Sequence, residues 1–375
     1  MPDRSTGLVF CERYLQHNTN PYRLWRSGNP LPFVEQVDHP SNPRLAQRTK
    51  HLLDLTGLSR RMVRIEPYPA TEEDVTAYHT PAYVQRVREI SAAGGGDTGE
   101  GAPAAPDSYE IALLAAGGVM AAVDAVMTGQ VRQCLALVRP PGHHAMADRG
   151  MGFCIFGNVA IAAHHARRRH GVERILIVDW DVHHGNGTQD AFYADPGVLF
   201  VSIHQDGLYP PGWGAVEDTG TGPGAGYTVN IPLPPGSGDA AYLAAFTRVI
   251  APIAARFRPE LVIVSAGQDA SASDPLGRMC LSTEAYRRMT AVMRDIAASS
   301  ADGRLVVALE GGYSEIYAPY CTLAIAEELL GERTGIEEPL NPERVAAWRT
   351  SREVSHDQEQ VIERVIAVHR ERWGL

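Results

Sequence analysis

Residues 175–187 of the chain read ILIVDWDVHHGNG, and this stretch carries the strongest sequence evidence on fold and chemistry. Its first four residues form a short apolar run, which is typical of a strand buried in a parallel sheet. Side chains alternate along a strand, so we expect Asp179, Asp181 and His183 on one face. A strand with a merely capped polar end is the alternative, but two acids beside histidines are rarely buried without ion pairing or a metal. The stretch therefore predicts a metal site at a strand end.

Bulk composition narrows the class of protein. The 375 residues are 44% hydrophobic and 21% charged, which is enough to build a large core. Five cysteines without CxxC spacing predict reduced thiols and a cytoplasmic location, and we expect neither a secretory signal nor a membrane span. The formal net charge of −10 argues against direct nucleic-acid binding. The basic run at residues 167–170 precedes a glycine and fits a helix carboxyl terminus instead.

Apolar runs alternate with helical patterns along the chain. The runs predicted to be strands are residues 135–138, 175–178, 198–203, 261–264 and 305–309. The predicted helices are residues 109–127, 158–169, 240–256, 283–299 and 319–330. This alternation predicts a single α/β domain with a mostly parallel sheet flanked by helices on both faces. Residues 13–43 and 205–226 depart from the pattern and are expected to form long loops around a site.

Unusual polar residues follow each predicted strand. They are Arg139, His143 and His144; Asp179, Asp181 and His183; His204; Asp269; and Glu310 with Tyr313. In open α/β sheets, ligands bind at the carboxyl ends of the strands. We therefore expect five separate segments to converge on one active site at that edge.

Three of these residues are candidate ligands of a hydrolytic metal ion. Such a site needs few protein ligands, so that water and substrate can also bind. Asp181 and His183 come from one strand, and Asp269 follows another strand. An Asp-His-Asp set is compatible with zinc, and iron, manganese or cobalt remain open.

The adjacent residues His143 and His144 are candidates for proton transfer. They follow Pro-Pro-Gly, a stiff segment, and could act as general base and acid on water and a leaving amine. Asp179 can orient one of them and Asn186 the other. Because a carboxylate raises imidazole basicity and an amide scarcely does, we expect the two histidines to titrate differently.

Six motifs in this order carry a resemblance to a known family. They are PPGHH at 140–144, GFCIFGN at 152–158, DWDVHHGNGT at 179–188, SIHQ at 202–205, DPLGRM at 274–279 and EGGYS at 310–314. Together they resemble the arginase/deacetylase superfamily, specifically class II histone deacetylases and the bacterial histone-deacetylase-like amidohydrolases. The resemblance extends from residue 11 to about residue 328. It implies one deacetylase domain over residues 1–375, with a catalytic core to about 335 and a helical extension over about 341–375.

The resemblance also implies the metal ions. It assigns Asp181, His183 and Asp269 to a catalytic zinc ion. A structural potassium ion would be bound by Asp179, Asp181, His183, Ser202 and Ile203. A second, more peripheral potassium site would match Phe192, Asp195, Val198 and Tyr227.

A catalytic scheme and a substrate tunnel come with the same resemblance. His144 would take a proton from water, His143 paired with Asp179 would stabilise charge, and Tyr313 would donate to the tetrahedral oxyanion. Asn186 would orient the second histidine. The tunnel would be lined by Gly152, Phe153, Tyr209 and Leu276.

Several positions depart from the family's pattern. Tyr209 and Gln268 stand where relatives commonly carry phenylalanine. Gly101 replaces the loop acid that grips the substrate backbone, although Glu100 or Asp97 could serve. Gly185 and Ser271 leave gaps in the two-metal set that an arginase needs, which argues against that activity.

Three functions are consistent with the sequence. The first is zinc-dependent deacetylation of acetyl-lysine in proteins or peptides. The second is hydrolysis of another small amide or ester, such as an acetylpolyamine, but Leu276 at the tunnel gate offers no carboxylate for a cation. The third is a non-catalytic acetyl-lysine-binding module. The C-terminal extension is expected to be a solvated amphipathic helix or to pack in a homodimer or homotetramer.

Overall fold

A central sheet of eight parallel strands organises the described part of the chain. The computed structural model describes residues 6–19, 37–340 and 353–375. The strands are β1 (Thr6–Val9), β2 (Val63–Ile65), β3 (Gln133–Ala136), β4 (Ile175–Asp179), β5 (Val198–Gln205), β6 (Thr228–Leu233), β7 (Leu261–Ala266) and β8 (Leu305–Leu309). Their order is β6-β5-β4-β7-β8-β3-β1-β2, and every neighbouring pair is parallel. All carboxyl ends therefore lie at one edge.

Helices surround this sheet. They are α1 (Arg44–Leu55), α2 (Glu72–Val75), α3 (Pro81–Ala92), α4 (Ser108–Met127), α5 (Asn158–His170), α6 (Asn186–Phe192), α7 (Asp239–Phe257), α8 (Thr283–Ser300), α9 (Ala318–Leu330) and α10 (His356–Trp373). Every residue of β4, β5, β7 and β8 is buried, so both faces of the sheet are covered. The predicted α/β class with a parallel sheet between helices is confirmed.

The five predicted strands are present, and the sheet has three further strands. β1 and β2 contain four and three residues, which is too short for a periodic signal. β6 reads TVNIPL and includes Pro232, which removes a backbone donor. A proline is tolerated there because β6 lies at the end of the sheet and pairs on one side only.

Helices α4 and α7 are long and apolar enough, by length and composition alone, to cross a membrane. This finding alone does not overturn the expectation that the chain has no membrane span, because a buried core helix passes the same test. In the fold, 72% of the apolar window of α4 and 56% of that of α7 are buried inside the protein. Their apolar residues are accounted for by packing against the sheet and neighbouring helices.

Helix α10 covers the open edge of the sheet. Ile362 and Val365 are fully buried, and the indole N–H of Trp373 donates to the carbonyl oxygen of Gly226 at 2.8 Å. The Trp373 ring also lies 5.4 Å from the ring of Tyr227, next to β6. The apolar face of the extension therefore packs within its own chain, so neither expected arrangement, a solvated helix or a subunit contact, describes that face. The division of the chain near residue 335 stays a prediction.

Two long loops were predicted around the site. Part of the first, residues 20–36, lies outside the described residues, and its start contains a short 3-10 helix, Glu12–Gln16. The second connects β5 to β6 and contains another 3-10 helix, Gly222–Gly224. It carries Tyr209 to the carboxyl edge of the sheet.

Candidate active site

The segments that follow β4 and β7 bring the three predicted metal ligands together, although β4 ends at Asp179, so Asp181 and His183 lie just after the strand and not on it as the sequence predicted. Ligand atoms of Asp181, His183 and Asp269 all lie within 4.8 Å of one another, and all three residues are buried. Nδ1 of His183 lies 3.0 Å from Oδ1 of Asp181 and 3.1 Å from Oδ2 of Asp269. Backbone donors fix both carboxylates, since Val182 N–H donates to Asp269 and Gly311 N–H to Asp181. The three donors therefore face one point.

Charge and space at this point fit a divalent cation. Burial and the charge of Asp181 raise the pKa of Asp269 to about 8, because two buried carboxylates repel each other without a counter-ion. Burial opposes charging of His183, but its hydrogen bonds to both carboxylates raise its pKa to about 10. A Cβ at Gly267 would lie 2.1 Å from Asp181 Oδ2, and one at Gly311 would lie 2.4 Å from Asp269 Oδ2. Glycine at these positions keeps the space between the donors open.

The rings of His143 and His144 lie beside this cluster, with their centroids 3.9 Å apart and their planes tilted by 38°. Nδ1 of His143 lies 3.0 Å from Asp179, and Nδ1 of His144 lies 2.8 Å from Oδ1 of Asn186. Burial lowers the pKa of His143, but Asp181 and Asp179 raise it well above the ordinary value. Burial and the neighbouring His143 lower the pKa of His144 well below it. The two histidines differ in the direction that the sequence predicted.

Tyr313 reaches the same space from the loop after β8. A Cβ at Gly311 would lie 3.0 Å from the Tyr313 hydroxyl and 2.7 Å from Oδ2 of Asp181. Burial and the nearby carboxylates raise the pKa of Tyr313 well above its usual value, so its hydroxyl keeps its proton. The phenol is therefore a hydrogen-bond donor beside the metal-type cluster.

Asp274 positions this loop, a role that sequence reasoning missed. Its carboxylate accepts hydrogen bonds from the backbone N–H groups of Tyr313 at 2.7 Å, Ser314 at 3.1 Å and Leu276 at 2.9 Å. It thus ties the Tyr313 loop to the segment that carries Leu276. The motif DPLGRM contains Asp274, but residue types alone do not show which backbone groups it will bind.

The predicted tunnel residues line the approach to the histidine pair. The Tyr209 ring lies 5.0 Å from that of His144, and the Phe153 ring lies 5.8 Å from that of Tyr313. Gly152 lies between them with φ +51°, and a Cβ there would lie 2.4 Å from His144. Leu276 lies on the neighbouring loop and is partly exposed. Aromatic walls and a glycine floor suit a narrow, apolar alkyl chain.

Glu310 and Arg139 hold backbone segments next to the site. From the sequence they were predicted only to be polar residues that follow strands. Oε2 of Glu310 accepts from the N–H groups of Gly142 at 2.7 Å and His143 at 3.2 Å. Burial raises the pKa of Glu310 to about 7. The buried guanidinium of Arg139 donates to the carbonyl oxygens of Tyr14 and Ser41, among others. These bonds fix the PPGHH segment on the sheet.

The residues of the first potassium set form an oxygen-rich group beside the zinc-type cluster. Asp179 and Ser202 are paired across β4 and β5, next to the backbone of Ile203. Oxygen donors are what a hard monovalent cation prefers. His204, which the sequence placed at the site, instead bonds Ser202 at 3.0 Å and packs against His184, with ring centroids 4.8 Å apart.

The second potassium set fits a cation less well. The Asp195 carboxylate pairs with the Arg167 guanidinium. The carbonyl oxygens of Phe192, Asp195 and Tyr227 each accept a backbone hydrogen bond, and the N–H of Val198 is one of the donors. A cation there would depend on main-chain oxygens that are already engaged.

The two candidate substrate-gripping acids differ in availability. The Asp97 carboxylate accepts from the N–H groups of Gly99, Gly101 and Ala102, so it is committed to its own turn. Glu100 is exposed and pairs with Arg149 at 3.1 Å. Glu100 is thus the better placed of the two to meet a peptide.

Comparisons with known proteins agree with this geometry. The family model for the histone deacetylase domain matches residues 39–329. A histone deacetylase-like amidohydrolase of Pseudomonas aeruginosa is 46% identical over 338 residues, which cover 90% of this chain and 89% of that protein. The polyamine deacetylase HDAC10 of Homo sapiens is 43% identical over 68% of this chain and 40% of its own length. The crystal structure of the HDA15 HD domain superposes with a TM-score of 0.85 at 34% identity, covering 99% of this chain and 96% of that one.

The fold, the buried donor set and these matches define the class of protein. The chain belongs to the histone deacetylase family. It is a deacetylase or amidohydrolase of that family.

Proposed function

We propose that this protein is a zinc-dependent amidohydrolase that removes the acetyl group from the ε-amino group of acetyl-lysine in proteins or peptides. The observation that carries the proposal is the buried cluster of Asp181, His183 and Asp269, with His143, His144 and Tyr313 around it. When bound by the three ligands, zinc would supply Lewis-acid polarisation of the amide carbonyl. Potassium beside Asp179 and Ser202 would neutralise part of the buried negative charge.

His144 is the proposed general base. Its Nδ1 faces the carbonyl-type oxygen of Asn186, so the ring proton resides on Nδ1 and Nε2 is free to accept. The lowered pKa keeps this ring neutral at pH 7. Nε2 takes a proton from the attacking water and returns it to the leaving amine, which yields lysine and acetate.

The other groups act on charge and position. His143 stays protonated because Asp179 and Asp181 raise its pKa, and the cation stabilises the negative charge that develops on the carbonyl oxygen. The Tyr313 hydroxyl donates a hydrogen bond to the same oxygen. Gly152, Phe153 and Tyr209 hold the four-carbon side chain in a tunnel from which water is largely excluded.

Replacement of Tyr313 by phenylalanine tests the proposal. We expect Tyr313→Phe to lower kcat for an acetyl-lysine peptide by roughly 10²- to 10³-fold, as for the loss of one oxyanion donor. Its backbone N–H still bonds Asp274, so the loop stays in place. The matched control is Tyr320→Phe on α9, which we expect to turn over peptide at the wild-type rate. Equal kcat for Tyr313→Phe and the control would contradict the role of the phenol.

A small acylated amine is the second candidate substrate. It is favoured by the similarity to the polyamine deacetylase of Homo sapiens. Two residues disfavour it. Leu276 has no carboxylate to bind a cation, and the Asp274 carboxylate already accepts hydrogen bonds from three backbone N–H groups, so it is not available to bind a distant ammonium group. The ratio of kcat/KM for the two substrates distinguishes the candidates.

A further inference from the structure

A second group of metal-type donors lies outside the active site. Nε2 of His165 lies 2.8 Å, and Nε2 of His170 lies 2.7 Å, from Oδ1 of Asp124. The three donor atoms all lie within 4.8 Å of one another, as in the cluster at the ends of β4 and β7. Two imidazoles and a carboxylate are ligands that zinc and neighbouring divalent metals take in proteins.

The group lies on the opposite edge of the sheet from the active site. Asp124 is in the last turn of α4, which leads into the start of β3. His165 and His170 are in the last two turns of α5, which leads into the start of β4. Helix carboxyl ends carry partial negative charge, so two of them here favour a cation.

Tyr68 fixes the orientation of the carboxylate. Its hydroxyl donates to Oδ2 of Asp124 at 2.6 Å, so Oδ1 is left to face both histidines. A hydrogen bond to the non-coordinating oxygen is the usual outer support of a metal-bound carboxylate. Ligands that share one ion at about 2.0–2.1 Å in tetrahedral geometry lie about 3.3 Å apart. The two imidazole-to-carboxylate distances of 2.8 and 2.7 Å would each lengthen by about half an ångström on binding an ion.

The group is open to solvent and its surroundings suit a cation. An open cavity of about 440 Å³ adjoins it. Three carboxylates and two guanidinium groups line the cavity, which leaves an excess of one negative charge when the histidines are neutral. Arg168 is paired with Asp74 at 2.5 Å, so it is not available to hold a phosphate by itself.

We propose that Asp124, His165 and His170 bind one divalent transition-metal ion that joins the carboxyl ends of α4 and α5. The ion would be structural, because the site lies across the sheet from the catalytic groups. Solvent can complete its coordination from the cavity side. The proposal does not depend on the proposed deacetylation.

Zinc stoichiometry tests this site. The full-length chain is stripped of metal, incubated with excess Zn²⁺, desalted, and analysed for zinc per chain by atomic emission. We expect His170→Ala and Asp124→Asn each to bind one zinc ion fewer than the wild type. The matched control is His51→Ala, an exposed histidine on α1, which we expect to bind as much zinc as the wild type. The criterion is a difference between variants, so it holds whether or not the active site retains zinc.

A crystal of the zinc-loaded wild type gives a second readout. We expect an anomalous difference peak at the zinc edge between Asp124, His165 and His170. We also expect Asp124→Asn, which keeps the size of the side chain, to retain wild-type turnover of an acetyl-lysine peptide. Equal zinc content in the wild type and both variants, or no anomalous peak at this position, would overturn the proposal.

Discussion

At the scale of single residues, two adjacent histidines in the pocket differ in the side chain that each Nδ1 contacts. Asp179 faces His143, and although burial lowers the pKa of His143, Asp181 and Asp179 together raise it; Asn186 faces His144, whose pKa is lowered by burial and by His143. One ring is therefore held charged and the other neutral, which is the division that a base and a charge-stabilising group require.

Asn186→Asp tests this division. A carboxylate beside Nδ1 favours the imidazolium form, so we expect the pKa of His144 to rise. Because His144 must be deprotonated to act as a base, a raised pKa moves the acid limb of the kcat/KM profile to higher pH. The comparator Asn186→Ala removes the amide without adding charge, and it should lower the rate without that shift. An acid limb at the wild-type pH in Asn186→Asp would contradict the assignment of His144 as base.

Gly152→Ala tests the tunnel floor. Gly152 has φ +51°, and a Cβ there would lie 2.4 Å from His144. We expect kcat/KM for an acetyl-lysine peptide to fall roughly 10²-fold, because His144 would be displaced. Gly207→Ala is the matched control: its φ is +65° but nothing lies within 4 Å of its Cβ. Both variants should lose about 1–2 kcal/mol of stability from the left-handed backbone, and only the first should lose activity. Equal activity in the two would show that His144 is not confined at this point.

At the scale of elements, α10 covers the edge of the sheet at β6 and does not contribute to the candidate active site. It packs on β6, which would otherwise present an unpaired edge. Arg248 of α7 also pairs with Glu359 of α10 at 2.8 Å. The extension therefore contributes to the stability of the fold. We expect its loss to lower the free energy of unfolding more than it lowers kcat.

Ile362→Ala measures this contribution. Ile362 is fully buried, so we expect a loss of about 2–5 kcal/mol in the free energy of unfolding, measured by urea denaturation. Val368→Ala on the same helix is the control, because Val368 is 38% exposed and should cost no more than about 0.5 kcal/mol. Equal, small losses in the two variants would contradict the packing of α10.

How far the sequence predicted these elements depends on the kind of signal. Continuous apolar runs predicted β4, β5, β7 and β8, but β1 and β2 are too short to show a period. The ligand triad was predictable because Asp181 and His183 follow β4 and Asp269 follows β7 at one edge of the sheet, but strand alternation does not explain it, since β4 ends at Asp179. The roles of Glu310 and Asp274 were not, since both act on backbone N–H groups of distant segments. An amphipathic pattern also predicts that α10 has an apolar face without identifying what covers it.

At the scale of the whole molecule, the two candidate metal sites lie at opposite edges of the parallel sheet. Its carboxyl edge collects the proposed catalytic groups, which follow β4, β7 and β8, while its amino edge holds the group of Asp124, His165 and His170. Family membership sets the reaction class, whereas substrate choice depends on the loops at the carboxyl edge. Cytoplasmic location and assembly into a homodimer or homotetramer stay predictions.

The most direct test of the central claim compares kcat/KM for an acetyl-lysine peptide and for an acetylated polyamine, each before and after metal is chelated. We predict a higher value for the peptide and loss of both activities in the chelated enzyme. Addition of Zn²⁺ should restore activity in the wild type and in Asp124→Asn, but not in Asp181→Asn. A higher value for the polyamine would contradict the proposed substrate. Turnover that persists in the chelated enzyme would contradict the proposed zinc chemistry.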